Sequence, residues 1–225
     1  MDATAHKLEG GSGAGTELLA PIVRQGLLSA YEVREVLETA DALERATDPQ
    51  RLRCHGVKIW TGGAHSTLYM HHEGWLADRL PTLLHRLVQT MLDQHAAWFG
   101  SGQVDELSLR CVELHEYSVG GSLSRRGHRD HGSSVSMSIL LTESRLGGEF
   151  VTWDEMREPV LHTLRPGDAV VFPSEHVHNV APVLEGLRRT MVLEIWQGDA
   201  LTAGRGRDLR AGASHELDDC ELPSY

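Results

Sequence analysis

The chain has 225 residues, 40% of them hydrophobic and 24% charged, which is enough to bury a substantial core in one globular domain. Its formal charge of -11 disfavours nucleic acid and anionic membrane surfaces as partners, because both are bound through an excess of Lys and Arg. No apolar run reaches the length of a membrane span and residues 1 to 6 lack the basic and apolar regions of a secretion signal, so the expectation is a soluble, cytoplasmic protein.

Gly10 to Gly15 is a low-complexity run with nothing to bury, and residues 1–15 are expected to form a flexible N-terminal segment. Ser29 and Glu32 form a capping box ahead of Val33, Val36, Leu37, Ala40 and Leu43, which predicts a helix from Ala30 to about Arg45. Val57 to Trp60 reads as a short strand ending in a turn at Thr61-Gly62-Gly63. The nearby His65, His71 and His72 lie far in sequence from any carboxylate at a ligand spacing and are read as structural. Pro81 suits the first turn of a second helix, whose Leu83, Leu84, Leu87, Val88, Met91 and Leu92 form a wide apolar face suited to covering a sheet.

After Gly102 the period changes to two. Strands are predicted at 107–117, 135–141, 150–153, 160–164, 169–172 and 190–196, punctuated by Gly120-Gly121, Gly147-Gly148, Arg165-Pro166-Gly167 and Glu185-Gly186. The fold class expected is mainly β with flanking helices, a two-sheet sandwich or barrel. The organisation expected is a single domain over 16–197, with helical support at 16–100, a β core at 105–197, and a polar tail at 198–225. Cys54, Cys111 and Cys220 are odd in number and show no CxxC spacing, so they are read as three reduced thiols.

Among the 14 histidines most are expected to be packing or surface residues, but His128-Arg129-Asp130 is a stronger feature. In an extended segment His128 and Asp130 point to one side and Arg129 to the other, so one strand end can offer two ligands to one ion. The third ligand has to come from elsewhere, and His176 and His178 are both candidates. Two histidines and one carboxylate on one face of a metal leave the other face open, which suits ferrous iron that must also bind a co-substrate and dioxygen.

Taken in order, Tyr117, His128-x-Asp130, Gly147-Gly148-Glu149, Pro166-Gly167-Asp168, Phe172 and His178-x-Val180-x-Pro182-Val183-x-x-Gly186-x-Arg188 resemble the iron(II)- and 2-oxoglutarate-dependent dioxygenases, and within them the prolyl and lysyl hydroxylase branch. The resemblance spans about Leu107 to Trp196. It implies a double-stranded β-helix, a jelly-roll or cupin-like barrel, supported by the N-terminal helices. It implies His128, Asp130 and His178 as catalytic iron ligands, with His178 preferred to His176 because Val180, Pro182, Val183 and Arg188 follow it. Arg188 would pair with the distal carboxylate of 2-oxoglutarate, for which a planar guanidinium fork is well matched. Tyr117 would hydrogen-bond the same co-substrate, and Thr190, on the face of Arg188, would add a hydroxyl. Where many prolyl hydroxylases carry a co-substrate tyrosine this chain has Leu140, and Ser136 and Ser138 on that face are candidate substitutes. His115 and His131 are read as supporting residues outside the ligand set.

The activity implied is hydroxylation of an unactivated C-H bond, coupled to oxidation of 2-oxoglutarate to succinate and carbon dioxide by dioxygen, with ascorbate as an optional reductant. A prolyl or lysyl residue of a peptide is the first expectation for the substrate, and a free amino acid or small carboxylate metabolite the second. Arg125, Arg126 and Arg129 around the metal motif, with Arg145 and Arg157 on later loops, point to an anionic substrate. Trp153 and the loop 119–127 are expected to shape the substrate wall. From another class, the chain could be a non-catalytic metal-binding jelly-roll module, although such a module has no use for Arg188.

Overall fold

The computed structural model describes residues 19–48, 57–61, 63–124 and 127–200. The glycine-rich segment, Cys54, Cys220, Arg125, Arg126 and the tail from residue 201 lie outside the described residues. Two long helices form where the sequence pattern puts them. Helix α1 (Ala30–Ala46) is capped by Ser29, whose side chain accepts from the Glu32 amide while Glu32 returns a bond to the Ser29 amide. After a short helix α2 (Trp75–Arg79), Pro81 opens α3 (Pro81–Phe99) at a position where its missing N–H costs nothing.

The strands are β1 (Ile22–Arg24), β2 (Lys58–Thr61), β3 (His65–Tyr69), β4 (Leu107–Tyr117), β5 (Val135–Thr142), β6 (Leu146–Gly147), β7 (Phe150–Trp153), β8 (Pro159–His162), β9 (Ala169–Pro173), β10 (His178–Val180), β11 (Val183–Glu185) and β12 (Arg188–Gln197). Seven of them form the major sheet in the order β1-β9-β5-β12-β4-β3-β2, and the minor layer pairs β10-β7-β8 and β11-β6. The paired strands run antiparallel throughout. Two antiparallel layers with helices on one side are the jelly-roll arrangement expected. The short strands β1, β3, β6, β10 and β11 were not anticipated; four are only three residues long or fewer, and β3 is a buried histidine-bearing strand with no alternation of polarity. Among the described residues, no helix is long and apolar enough to cross a membrane.

The major sheet has two dissimilar faces. On its outer face Val112, Leu114, Met137, Ile139, Met191 and Leu193 pack with Val36, Ala40 and Leu43 of α1 and Leu83, Leu87 and Met91 of α3 in one buried core. Burying side chains of this size contributes roughly 1.5–3 kcal/mol each, so the folding core lies outside the barrel. The inner face carries polar groups instead. Register places Glu113 beside Val192 and Tyr69, Val192 beside Ser138, and Arg188 beside Tyr117. A smaller apolar cluster of Tyr117, Leu140, Phe150, Phe172, Val180 and Val183 joins the two layers.

The Pro166-Gly167-Asp168 motif is a corner that ties the N-terminal segment to this barrel. Asp168 accepts from the Arg165 and Gly26 amides at 2.8 and 2.7 Å. Gly167 has φ +97°, and a Cβ there would lie 2.3 Å from the Leu28 carbonyl oxygen, so only glycine fits.

Candidate active site

His128 and Asp130 sit on the segment entering β5, and His178 begins β10. The two segments are joined by backbone bonds from His178 N to His128 O (3.2 Å) and from Asp130 N to Ser174 O (2.9 Å). The result brings together the three residues named from sequence: one ligand-type atom from each lies within 4.8 Å of the others. His128 Nε2 is 3.4 Å and His178 Nε2 3.7 Å from Asp130 Oδ1.

The surroundings prepare these atoms for a cation. His178 Nδ1 is 3.0 Å from the His176 carbonyl oxygen, to which only an N–H can donate. That fixes the proton on Nδ1 and leaves the Nε2 lone pair toward Asp130, the tautomer a metal ligand requires. Asp130 Oδ2 accepts from Ser136 Oγ at 2.6 Å, which in turn lies 2.9 Å from Ser174 Oγ. Burial alone would raise the Asp130 pKa, but His128, His178 and Ser136 outweigh it and hold the carboxyl at about 2. Burial lowers the pKa of His178, so its imidazole is neutral near pH 7. Two imidazoles and a carboxylate are the donor set of an open-faced ferrous site. His176 is buried outside this cluster and supplies its backbone carbonyl instead of a ligand atom.

Arg188, at the start of β12, is 2% exposed. Its guanidinium donates to Thr190 Oγ1 at 3.3 Å and stands 5.6 Å from the Tyr117 ring centre, and among the described residues no carboxylate lies within ion-pair distance of it. Burial pulls its pKa down to about 10, with Tyr117 and Glu149 opposing the shift. A guanidinium so placed has donors to spare for an anion. The Gly147-Gly148 turn gives it room: Gly148 has φ +79°, and a Cβ there would be 3.0 Å from Arg188 Cδ. Burial also pushes the Tyr117 hydroxyl pKa up, Arg188 resisting, so the phenol stays protonated.

A cavity of about 530 Å³ opens between the layers and is lined by His128, Asp130, His178, Tyr117, Ser138 and Thr190 among others. Arg188 lines an adjoining space of about 230 Å³ with Leu140 and Gly148, and Phe150 borders both. The loop after β4 contributes Ser122, Leu123 and Ser124 to the larger cavity as expected. Trp153 does not line it: alternation along β7 turns Phe150 and Thr152 inward and leaves Trp153 half-exposed on the other face. Sequence reasoning missed the opposite wall, where His65 and His115 line the cavity with Glu113. Their register across β3 and β4 was the missing information, because His65 is fifty residues from its partner.

Burial lowers the pKa values of His65, His95, His162, His176 and His178, that of His65 to about 4 with His115 adding to the effect. The unfolded chain takes up protons near pH 6.5 while the fold refuses them until lower pH, so stability is lost as pH falls from 6.5 toward 4. His65 alone is expected to contribute about 1 kcal/mol to this loss at pH 5, after allowance for residual solvent screening. Thermal unfolding of metal-free protein at pH 7.5 and 5 checks it: a His65→Phe protein should lose less stability on acidification, and an identical loss would refute the assignment.

No family model and no curated protein matches this sequence. Among solved structures, the chain is similar to AviO1 from Streptomyces viridochromogenes at a TM-score of 0.58 and 18% identity, covering 83% of this chain and 94% of that one. It is similar to the viral collagen prolyl hydroxylase of Paramecium bursaria Chlorella virus-1, seen with 2-oxoglutarate, at 0.55 and 12%, covering 80% and 96%. It is similar to the epimerase SnoN, seen with Fe3+, α-ketoglutarate and nogalamycin RO, at 0.53 and 15%, covering 83% and 82%. These likenesses establish that the chain has the fold shared by 2-oxoglutarate- and iron-dependent oxygenases.

Proposed function

We propose that this protein is an iron(II)- and 2-oxoglutarate-dependent hydroxylase. The observation that carries the proposal is the pairing, within one barrel, of a His128/Asp130/His178 donor set with a buried Arg188 whose charge faces no carboxylate at ion-pair distance among the described residues. A metal-binding module needs the first and has no need of the second. When bound, iron and 2-oxoglutarate would supply the oxidising chemistry: dioxygen converts 2-oxoglutarate to succinate and carbon dioxide and delivers its second oxygen atom to a C-H bond of the substrate.

The chain's own residues bind, orient and exclude water. His128, Asp130 and His178 would hold the metal on one face. Arg188 would take the distal carboxylate of the co-substrate in a fork, with Thr190 fixing the guanidinium and the Tyr117 hydroxyl as a further donor. Ser138, facing the cavity from β5, is the remaining candidate contact, since Leu140 offers no polar atom there.

A prolyl- or lysyl-type residue of a peptide is the first reading for the substrate, supported by the shared fold of a collagen prolyl hydroxylase. A free amino acid or small metabolite is the second, favoured by a cavity volume of about 530 Å³. An anionic substrate would draw on the loop arginines. Of these, Arg129 donates to the Glu175 carbonyl and Arg145 pairs with Glu185 at 2.5 Å, which leaves Arg157 on its exposed turn and the two outside the described residues.

The test is an anaerobic titration of the metal-free protein with ferrous iron and then 2-oxoglutarate. A weak visible charge-transfer band that appears only with both, followed by succinate release in air, is the expected result. Folded protein that binds the metal without the band would overturn the proposal.

A further inference from the structure

Strand β4 changes parity in its middle. Leu107 and Leu109 pack against the outer core, and so do Val112 and Leu114, although strict alternation would set the two pairs on opposite faces. The pairing with β12 accounts for the change: Glu194 faces Cys111 and Ile195 faces Leu109, so Arg110 is the extra residue of a β-bulge. A bulge re-aims a side chain, and such irregularities gather beside active sites. Here it turns Arg110, 3% exposed, away from the outer core and toward the segment that carries Asp130.

The guanidinium grips the turn that follows Asp130. Its Nη1 donates to the His131 carbonyl oxygen at 2.9 Å and to Ser133 Oγ at 2.7 Å, and lies 3.2 Å from Glu194 Oε2. Ser133 closes the arrangement twice, its hydroxyl donating to the same Glu194 carboxylate and its amide to the Asp130 carbonyl oxygen at 3.1 Å. The Trp196 ring stands over the guanidinium, 5.1 Å from its carbon. The turn 130–133 is thereby fastened to two strands of the major sheet, to β4 through Arg110 and to β12 through Glu194. Asp130 is held separately, at its carboxylate by Ser136 and at its amide by the Ser174 carbonyl.

A buried ion pair is a poor source of stability, because hydrophobic residues of like volume often do as well or better. What this pair supplies that they cannot is a set of directed hydrogen bonds to a turn. We infer that Arg110, with Glu194 as its counter-ion, is a positioning residue for Asp130: it sets the turn 130–133 so that the carboxylate meets His128 and His178 as a metal ligand. Arg110 acts through the turn alone, since it is outside the triad and does not line the larger cavity. The inference rests on the reading of His128, Asp130 and His178 as the metal ligands.

Cobalt(II) added to the metal-free full-length protein is the probe, read by its affinity and its visible d–d spectrum beside the unfolding temperature of the metal-free form. Arg110→Met/Glu194→Met removes both charges together, so the fold should hold at the parent's unfolding temperature or above it. Cobalt should bind this variant roughly 10- to 100-fold more weakly, the cost typical of losing a group that orients a metal ligand, with a spectrum shifted toward that of Asp130→Ala. Ser133→Ala keeps both charges and deletes one link; it should move affinity and spectrum the same way by a smaller factor, so the test survives a double variant that does not fold. A merely structural pair predicts the opposite pattern, a lowered unfolding temperature with the parent's cobalt affinity and spectrum. That affinity and spectrum in the folded double variant, or in Ser133→Ala where the double variant does not fold, would overturn the inference. Failure of the metal reading looks different: the parent itself would bind no cobalt, or would bind it equally well after Asp130→Ala, and both proposals would fall together.

Discussion

Replacing Asp130 by alanine is expected to abolish succinate formation and to cut ferrous iron affinity by at least about 100-fold. The lower bound follows from the cost of disturbing groups that merely orient a metal ligand, which is already 10- to 100-fold. Asp130 is the only anionic member of its triad, and both imidazole Nε2 atoms approach the same Oδ1. Without it, two neutral nitrogens remain to hold a divalent ion. The fold should tolerate the change: Ser136 loses its bond to Asp130 but keeps Ser174 at 2.9 Å, and the Asp130 backbone bonds are unaffected. Iron content, unfolding temperature and succinate yield measured on one preparation give the answer. A folded variant that still forms succinate at the parent rate would remove the triad from the mechanism.

Replacing Arg188 by methionine should raise the KM for 2-oxoglutarate by about 30- to 1,000-fold, the 2–4 kcal/mol typical of truncating one partner of a buried charge pair. The same substitution should leave the ligand-free protein as stable as the parent or more so. Its depressed pKa says that folding the charged guanidinium into this site costs on the order of 3 kcal/mol, which a methionine of similar length would not incur. A structural arginine predicts the reverse pattern, a loss of stability with KM unchanged. Lysine at this position should recover little, since a single ammonium cannot reproduce the fork and Thr190 already occupies one donor.

How far the sequence could be read depended on the range of the interactions involved. Helices α1 and α3 and the longer strands were legible because their signals are local: a capping box at Ser29 and Glu32, a proline at position 81, a period of two from Leu107. The grouping of His128, Asp130 and His178 was legible because His128 and Asp130 share one short segment and the flanking motifs pointed to His178. Turn glycines that looked like punctuation proved to be close approaches, as at Gly148 beside Arg188.

The far wall of the cavity was not legible, for the opposite reason. Nothing near His65 in sequence distinguishes it from a packing histidine, and its partners His115 and Tyr117 become neighbours only when β3 pairs with β4. The same holds for Trp153, whose direction depends on which residue of β7 first turns inward. The arginines near the metal motif were expected to favour an anion; Arg125 and Arg126 lie outside the described residues, and none of the described arginines lines the larger cavity.

The separation of the major sheet into an apolar outer face and a polar inner one bears on how such a protein can diverge. Because Met137, Ile139, Met191 and Leu193 carry the packing against α1 and α3, the alternate positions of the same strands are released from holding the molecule together. Val192 can therefore be exchanged while the scaffold and the triad persist, and Ile59, Thr67 and Tyr69 of the neighbouring β2 and β3 line the same cavity. One chain can acquire a new substrate through a few inward-facing substitutions without first passing through an unstable ancestor.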